Sequence, residues 1–271
     1  MNNSCLIDTH VHSDNSPDGN HSCTFLCEQA VEKGLRAIAI TDHCETDTYL
    51  KDHYDRSTMQ SYLEILKAKV SFTGELIVLR GIELGQAVYD IPLAEKILAK
   101  QEYDIVIGSI HNLRGREDFY FMKQFTEEEA YAQTEEYLQE LLLLTQWGKF
   151  DVLAHLTYPL RYFYARSGIQ IDMTRFQKQT DELLALLAEK ERALEINTAG
   201  LRQPIGKLSP DFPLIRRFRE LGGKYITFGS DAHYAEHLAA GFAEAHEAAV
   251  QAGFDECVFF QNHHPMCIPL H

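Results

Sequence analysis

Two patterns of hydrophobic and polar residues alternate along this chain. Seven short runs, rich in apolar and β-branched residues, have the length and composition of buried strands. These runs are CLID (5–8), RAIAIT (36–41), LIVLRGIE (76–83), DIVIGSIH (104–111), DVLAHL (151–156), ALEIN (193–197) and YITFGS (225–230). The longer segments between and after them carry apolar positions at helical spacing, and several end in glycine; they are 23–34, 62–70, 92–100, 126–148, 175–190, 213–223 and 237–253.

These patterns predict seven strand–helix units in succession, and strictly alternating units imply a parallel sheet of the α/β class. Seven units fit either an open, doubly wound sheet or a closed barrel. The chain has 271 residues and contains no linker, internal repeat or low-complexity segment. Because α/β barrels commonly reach ~250 residues as one unit, we expect residues 1–271 to form a single domain.

Polar residues at the strand ends help to decide between these two architectures. Nearly every run ends in residues that can bind a metal ion, namely His10 and His12, Asp42 and His43, Glu83, His111, His155, Asn197, and Asp231 and His233. In parallel α/β folds, ligands and chemistry gather at the carboxyl ends of the strands. A barrel brings seven such ends to one rim, whereas an open sheet spreads them along a line. The pattern therefore favours a TIM-like barrel with a metal site.

The spacing of the first motif has a physical reason. Residues i and i+2 of a strand point to the same face, so His10 and His12 can hold one ion together. A carboxylate such as Glu83 can bridge two ions, and imidazole mixed with carboxylate suits zinc, iron or manganese. Two ions roughly 3.5–4 Å apart form the usual clamp for phosphoryl transfer. A single histidine is more often a surface or core residue, but surface scatter does not explain histidine at one strand end after another.

The other histidines and the cysteines receive structural interpretations. The histidines are interpreted as loop, helix or tail residues, with His21 kept as a minor candidate, and stand at positions 21, 53, 237, 246, 263, 264 and 271. The six cysteines form no CxxC pair and no disulfide-like pattern, and we interpret Cys23 and Cys27 as buried free thiols.

Composition limits the cellular compartment and the classes of binding partner that we expect for this protein. The formal charge of −15, from 40 acidic and 25 basic residues, repels nucleic acid polymers. No apolar run approaches the ~20 residues of a membrane span. The start MNNSCLID lacks a basic region followed by a long apolar stretch, so it predicts no secretory signal. We therefore expect a cytoplasmic protein that binds neither nucleic acid polymers nor membranes.

Taken in order, the motifs HxH, TDH, GIE, GSIH, AH, N and GSDAH resemble those of the PHP superfamily (polymerase and histidinol phosphatase), from Asp8 to the apolar tail. The resemblance implies a distorted seven-stranded (β/α)7 barrel. It is strongest to the stand-alone histidinol-phosphate phosphatases, which hydrolyse L-histidinol phosphate to L-histidinol and phosphate in histidine biosynthesis. It thus implies a metal-dependent phosphomonoester hydrolase with a small-molecule substrate.

The resemblance also implies two or three divalent metal ions, which could be zinc, iron or manganese. The implied sets are His10, His12, Glu83 and Asp231 for the first ion, Glu83, His111 and His155 for the second, and Asp18, His43 and His233 for the third. Many members have histidine at the position of Asp18, and aspartate is an acceptable oxygen ligand there. Asp14 competes with Asp18, which the spacing favours.

Candidate substrate residues follow from the same resemblance. In AHLTYPLRYF, Arg161 matches an arginine that helps to bind the substrate phosphate, and its planar fork suits phosphate oxygens. Arg202 is a second candidate, whereas Arg114 and Arg116 are weaker ones. His43 or His233, or a water that they hold, is a candidate proton donor to the leaving group, and His43 also contributes to phosphate binding. Aromatic side chains could stack on the substrate ring, with Tyr158, Tyr162 and Phe163 as candidates.

Three other functions are weighed against this interpretation. One is a PHP phosphoesterase acting on another small phosphomonoester or a nucleotide. The second is a structural or regulatory module of a polymerase, against which the full set of candidate ligands argues. The third is an amidohydrolase, which also has HxH after its first strand. Those enzymes typically have eight strands and a late aspartate without a histidine two residues on, so Asp231-Ala232-His233 favours PHP.

Overall fold

A parallel sheet forms the centre of the molecule. The structure, a computed structural model, describes residues 6–271, so Cys5 of the first predicted run lies outside the described residues. The strands of this sheet are β1 (Ile7–Val11), β2 (Ala37–Ile40), β3 (His43–Glu45), β4 (Ile77–Gly85), β5 (Ile105–Ser109), β6 (Val152–Leu153), β7 (Ala193–Asn197) and β8 (Ile226–Gly229). Each predicted run therefore overlaps a strand, although β1 and β4 extend beyond their predicted runs.

The strand order is β1-β2-β4-β5-β6-β7-β8, and every neighbouring pair is parallel. The sheet curves round until its two edges meet, where the Asp231 N–H donates to the His10 carbonyl at 2.8 Å and the His12 N–H donates to the Ala232 carbonyl at 2.9 Å. The predicted seven-stranded barrel is thus confirmed in a nearly closed form. Its closure is short, because these bonds lie at the carboxyl ends of β1 and β8.

The short strand β3 is the continuation of β2 after an interruption. Ile40 pairs with Arg80 and His43 pairs with Glu83, so both strands keep one register along β4. Between them Asp42 is buried and accepts hydrogen bonds from three serine hydroxyls, those of Ser13, Ser16 and Ser61. This anchored interruption carries His43 beyond the end of β2 to the carboxyl rim of the barrel.

Helices cover the outside of the sheet. They are α1 (Cys23–Glu32), α2 (Tyr54–Ser71), α3 (Ile91–Leu98), α4 (Glu127–Trp147), α5 (Tyr158–Ser167), α6 (Gln177–Glu189), α7 (Phe212–Glu220) and α8 (Phe242–Gln251). The longest, α4, begins with a reciprocal capping box between Thr126 and Glu129 and ends at Gly148, whose φ of 68° suits glycine. None of the helices within residues 6–271 combines the length and apolarity of a membrane span.

Two helices differ from the predicted boundaries and one was not predicted. Helix α2 begins at Tyr54 instead of 62, and α8 begins at Phe242 instead of 237. The segment after the fifth strand, treated as a loop in the sequence, forms α5. Its sequence carries the signals of a short helix, with Pro159 in the first turn and Gly168 after the last residue. This helix carries Arg161 and the aromatic residues beside it.

The apolar tail is not an unstructured extension. It forms an antiparallel hairpin of β9 (Glu256–Gln261) and β10 (His264–Pro269). The turn residues Asn262 and His263 both have positive φ, 49° and 63°, as a two-residue hairpin requires. His263 is thus a turn residue, as its interpretation as a loop, helix or tail residue allows, whereas that interpretation is wrong for His264, which begins β10.

The cysteines largely follow the sequence expectation. Cys23, Cys27 and Cys44 are buried thiols, and burial raises the pKa of each. Cys267 on β10 is exposed.

Candidate metal centre

Metal-capable side chains from six of the barrel strands, with β3 counted as the continuation of β2, meet at its carboxyl end. His10 in β1 and His12, the first residue after it, alternate with Thr9 and Val11, so both rings point into the barrel. Glu83, in β4, lies at the centre of the group and is fully buried. The others open the short strand β3 or follow a strand end by two to four residues; they are His43, His111, His155, Asp231 and His233.

The first group surrounds one oxygen of Glu83. Its Oε2 lies 3.2 Å from His10 Nε2 and 3.5 Å from His12 Nε2. Asp231 Oδ1 faces the same two nitrogens at 3.9 Å and 3.4 Å. All four predicted residues of this set converge.

The second group surrounds the other oxygen of Glu83. Its Oε1 lies 3.0 Å from His111 Nε2 and 3.0 Å from His155 Nε2. These two nitrogens are 3.3 Å apart. Glu83 therefore presents one oxygen to each group, which is the geometry of a bridging carboxylate.

The third group lies at the edge of the first. Asp18 Oδ2 is 3.0 Å from His233 Nε2, and its Oδ1 is 3.7 Å from His43 Nε2. The centroid of the His12 ring lies 4.2 Å from that of His43 and 4.2 Å from that of His233, and the last two are 5.8 Å apart. Asp14 is exposed and makes no contact with these histidine side chains in the described part of the chain. Of the two competing aspartates, the structure brings Asp18 to the cluster.

His43 occupies a more central position than the predicted third set implies. Its Nδ1 lies 2.9 Å from Glu83 Oε2 and 3.4 Å from Glu45 Oε1. It is therefore closer to the bridging carboxylate than to Asp18.

The unpaired atoms at the centre of this cluster fit a bound cation. Within residues 6–271, several buried side-chain atoms make no hydrogen bond, among them Nε2 of His10, His12 and His233, Nδ1 of His43, and Oε2 of Glu83. Buried polar atoms are normally hydrogen-bonded, yet these lie beside each other with no donor between them. Nitrogen and carboxylate oxygen in this mixture are the donors that zinc, iron and manganese accept.

The electrostatics favour the metal-binding form for Glu83 and His12, whereas neighbouring carboxylates outweigh burial and raise the pKa of His10, His43 and His111. Burial raises the pKa of Glu83, but the neighbouring His111, His10 and His43 outweigh burial and hold that pKa well below its usual range. Burial and the adjacent His43 and His233 lower the pKa of His12 to about 3. An ionised carboxylate beside a neutral imidazole is the form in which these side chains bind a metal.

The two predicted arginines lie on one side of the cluster. Arg161 is 7% exposed, its guanidinium carbon is 4.2 Å from the Tyr158 ring centroid, and its Nη1 is 3.6 Å from Asp231 Oδ2. Arg202 donates from Nη2 to the Ser230 carbonyl at 2.6 Å. Nε of Arg161 and Nη1 of Arg202 are buried and make no hydrogen bond within the described residues. Each arginine therefore keeps a donor for an anion.

The weaker arginine candidates point elsewhere. Arg114 donates to the backbone carbonyls of Val88 and Tyr89, and Arg116 pairs with Glu136. Their local contacts account for both side chains.

Of the aromatic candidates, the two tyrosines lie beside the cluster and the phenylalanine does not. The Tyr158 ring lies 4.8 Å from His111 and 4.9 Å from His155, and its hydroxyl donates to Asp118 at 3.0 Å. Tyr162 donates to the Tyr158 hydroxyl. Phe163 is fully buried and packs in the hydrophobic core, so the prediction that it stacks on a substrate is wrong.

Two glutamates of this region were missed in the sequence. Glu45 Oε1 lies 3.0 Å from His111 Nδ1. Glu195 Oε1 lies 2.6 Å from His10 Nδ1, and Asn197 donates to its other oxygen at 3.1 Å. Both had a readable signal: Glu45 stands two residues after His43, on the same face of β3, and Glu195 interrupts the apolar run ALEIN.

A nearly closed parallel β/α barrel with a histidine–carboxylate cluster at its carboxyl end defines a metal-dependent hydrolase of the barrel type. Comparison with known families gives the particular one. The sequence profile of the PHP domain matches residues 8–199, and the chain belongs to this family.

Several known proteins are similar to this chain over most of its length and of their own. The chain is 29% identical over 246 residues to a probable histidinol-phosphatase of Thermotoga maritima, covering 88% of this chain and 89% of the relative. It is 28% identical to the histidinol-phosphatase of Lactococcus lactis, covering 94% of each. The crystal structure of the histidinol phosphate phosphatase of Lactococcus lactis, complexed with zinc, L-histidinol and phosphate, superposes with a TM-score of 0.79 at 26% identity, covering 97% of this chain and 99% of that one.

Proposed function

We propose that this protein is a metal-dependent phosphatase that hydrolyses L-histidinol phosphate to L-histidinol and phosphate. The observation that carries the proposal is the juxtaposition of the Glu83-centred cluster with two arginines that keep unpaired donors, Arg161 and Arg202. Relatives named histidinol-phosphatase over most of the chain support this substrate. The similar structure from Lactococcus lactis holds zinc, L-histidinol and phosphate.

The proposed ligand sets follow the three groups of the cluster. They are His10, His12, Glu83 and Asp231; Glu83, His111 and His155; and Asp18, His43 and His233. We propose two or three divalent ions drawn from zinc, iron and manganese. When bound, such ions activate water as a nucleophile and offset the negative charge that develops on the phosphoryl group.

The arginines are assigned to the phosphate. Arg161 is held flat between the Tyr158 ring and Asp231, so little side-chain freedom is lost when it binds an anion. Its charge-assisted hydrogen bonds to phosphate oxygens orient the phosphorus for in-line attack. The Nη2 of Arg202 donates to the carbonyl of Ser230, the residue before Asp231. We assign Arg202 the second, weaker contact with the phosphate.

We assign protonation of the leaving oxygen to a water that His43 or His233 holds, or directly to one of these histidines when no ion occupies the third group, since a metal-bound imidazole cannot act as the acid. Their side chains are 15% and 23% exposed, whereas those of His10 and His12 are fully buried. Only the exposed pair therefore has access to the solvent from which a general acid is reprotonated. His43 also lies close enough to the central carboxylate to contact the bound phosphate.

The decisive experiment measures phosphate release from L-histidinol phosphate and from a panel of nucleoside monophosphates, with and without a chelator. We expect selective hydrolysis of L-histidinol phosphate that chelation abolishes and added zinc or manganese restores. A flat profile, or one that favours nucleotides, would replace this substrate with another small phosphomonoester. Activity that persists in the metal-stripped protein would contradict the metal-dependent mechanism.

A further inference from the structure

We infer that Glu195 is a positioning residue of the metal centre, which holds the His10 ring so that Nε2 faces the metal position. The inference rests on the metal-binding part of the proposed function. Glu195 is fully buried in β7, where its Oε1 lies 2.6 Å from His10 Nδ1 and its Oε2 accepts the His155 backbone N–H at 2.7 Å. Among residues 6–271, His10 is the only basic side chain within ion-pair distance of this buried carboxylate.

The hydrogen bond to Glu195 fixes the tautomer of His10. An ionised carboxylate can only accept hydrogen bonds, so Nδ1 of His10 must carry the hydrogen. The lone pair is then left on Nε2, which lies 3.2 Å from Glu83 Oε2 and 3.9 Å from Asp231 Oδ1. A carboxylate behind a ligating histidine is a recurrent way to orient the ring and to raise its basicity.

A glycine on the neighbouring strand leaves room for this pair. A β-carbon added at Gly229 would lie 2.0 Å from Glu195 Oε1 and 2.7 Å from the His10 β-carbon. Gly229 pairs with Asn197 in the register of β7 and β8. The glycine of GSDAH therefore has a steric purpose, namely the space that Glu195 and His10 occupy together.

The same arrangement occurs a second time in the barrel. Glu45 Oε1 lies 3.0 Å from His111 Nδ1, and a β-carbon at Gly85 would lie 1.7 Å from Glu45 Oε2. In each of the two groups around Glu83, one histidine thus accepts support from a second glutamate, and a glycine leaves room for that glutamate. Glu195 differs in that it also holds the backbone of His155, so it links the two groups.

The negative charge of Glu195 matters because its oxygens meet three donors, the His10 ring, the His155 backbone N–H and the Asn197 amide. The His155 N–H can only donate, so the oxygen that faces it must remain an acceptor. In a Glu195→Gln variant the amide oxygen would remain at this N–H and the amide NH2 would face His10. That NH2 needs an acceptor, so it selects the His10 tautomer with hydrogen on Nε2. The hydrogen would then occupy the position of the metal, although the size of the side chain is unchanged.

The test measures zinc binding to the metal-stripped full chain by competition with a chromophoric chelator, together with the visible spectrum of the cobalt-loaded protein. For Glu195→Gln we expect zinc binding at the His10 position to weaken roughly 10- to 100-fold, which is typical of a lost partner behind a metal ligand. Asp104→Asn is the matched control, since Asp104 is equally buried but lies at the other end of the barrel. It should lower the unfolding temperature and leave zinc affinity unchanged.

A double-mutant cycle with His10→Ala separates positioning from general damage. If Glu195 acts through His10, Glu195→Gln causes little further loss of zinc affinity in the His10→Ala background. Unchanged zinc affinity in the single variant, or an undiminished loss in that background, would overturn the inference. A wild-type chain that binds no zinc or cobalt would instead overturn the proposed function.

Discussion

At the amino end of the barrel, Asp104 is fully buried and surrounded by donors with a permanent charge. Its oxygens accept from Nε and Nη2 of Arg80, both at 2.9 Å, and Lys69 lies 3.3 Å away. At the carboxyl end, Glu83 is equally buried, but no lysine or arginine of residues 6–271 lies within ion-pair distance of it. It faces five imidazoles instead, those of His10, His12, His43, His111 and His155.

This difference shows that the buried carboxylate at the amino end stabilises the fold, whereas the one at the carboxyl end is arranged to bind a metal. A guanidinium satisfies a carboxylate completely and leaves no vacancy for a cation. Imidazoles can offer lone pairs, so a carboxylate among them forms a site that a metal completes. Changes at the amino end should therefore alter the free energy of unfolding, and changes at the carboxyl end should alter metal content and turnover.

The largest expected effect belongs to Glu83→Ala. We expect phosphate release to fall by ~1000-fold or more, because bound ions supply several kcal/mol of transition-state stabilisation. Metal content, measured by elemental analysis, should fall together with activity, and His12→Ala should behave in the same way. Full turnover in either variant would contradict the site assignment.

The matched change at the amino end is Arg80→Ala. We expect the free energy of unfolding to fall by about 3 kcal/mol, because the buried Asp104 carboxylate loses its main partner while Lys69 remains. Urea unfolding measures this loss, and turnover per folded molecule should stay unchanged. Arg192→Ala is a control, because this arginine is partly exposed and 3.8 Å from Asp151, where such pairs contribute less than about 1 kcal/mol. A loss of turnover in the folded Arg80 variant would break the division between the two ends.

Arg161→Ala tests the carboxyl end without removing a metal ligand. We expect kcat/KM for the phosphomonoester to fall roughly 30- to 100-fold, because a hydrogen bond to a charged group contributes ~1.5–3 kcal/mol. Arg161→Lys should recover only part of this loss, since a point charge lacks the planar fork. Arg202→Ala should have the smaller effect. Unchanged kcat/KM with normal metal content would remove Arg161 from the phosphate site.

The smallest effect concerns the hairpin at the amino end. His263 Nδ1 lies 2.9 Å from Asp151 Oδ2, and this hydrogen bond raises the pKa of His263 above its ordinary value. Protonation therefore favours the folded state. The gain is complete below the unfolded pKa of about 6.5, and it disappears as pH rises through the higher pKa of the folded protein.

Because the His263 side chain is 54% exposed, we expect a gain of less than about 1 kcal/mol. The measurement compares urea unfolding of the wild type and His263→Gln in chelator, at a pH below 6.5 and at an alkaline pH. The difference between the two proteins should shrink at the alkaline pH. A constant difference would show that protonation of His263 does not strengthen the hairpin.

The sequence predicted the barrel and the convergence at its carboxyl end, because strand periodicity and strand-end chemistry are local patterns. His10, Glu83 and His111 could be placed from their strands alone. The hairpin was missed because Pro265 and Pro269 argue against a strand, although an edge strand tolerates both. Helix α5 was missed despite its terminal proline and glycine.

The positioning contacts were harder to predict because they depend on three-dimensional neighbours. Glu195 and His10 are far apart in the chain, and nothing local in ALEIN indicates which donor its carboxylate meets. The signal that remained was a charge within a buried strand, which requires a partner. Asp18 could be chosen over Asp14 by spacing, yet only the fold shows that Asp18 lies within ion-pair distance of His43 and His233.

The closure of the sheet between β1 and β8 has a consequence for how the protein is made. His10 and His12 leave the ribosome before Asp231 and His233, which lie on the opposite edge of the sheet. The backbone bonds that join Asp231 to His10 and His12 to Ala232 cannot form until β8 has been translated. Metal capture at this position therefore waits for β8, and a nascent chain arrested before it exposes histidines without the aspartate that completes their site.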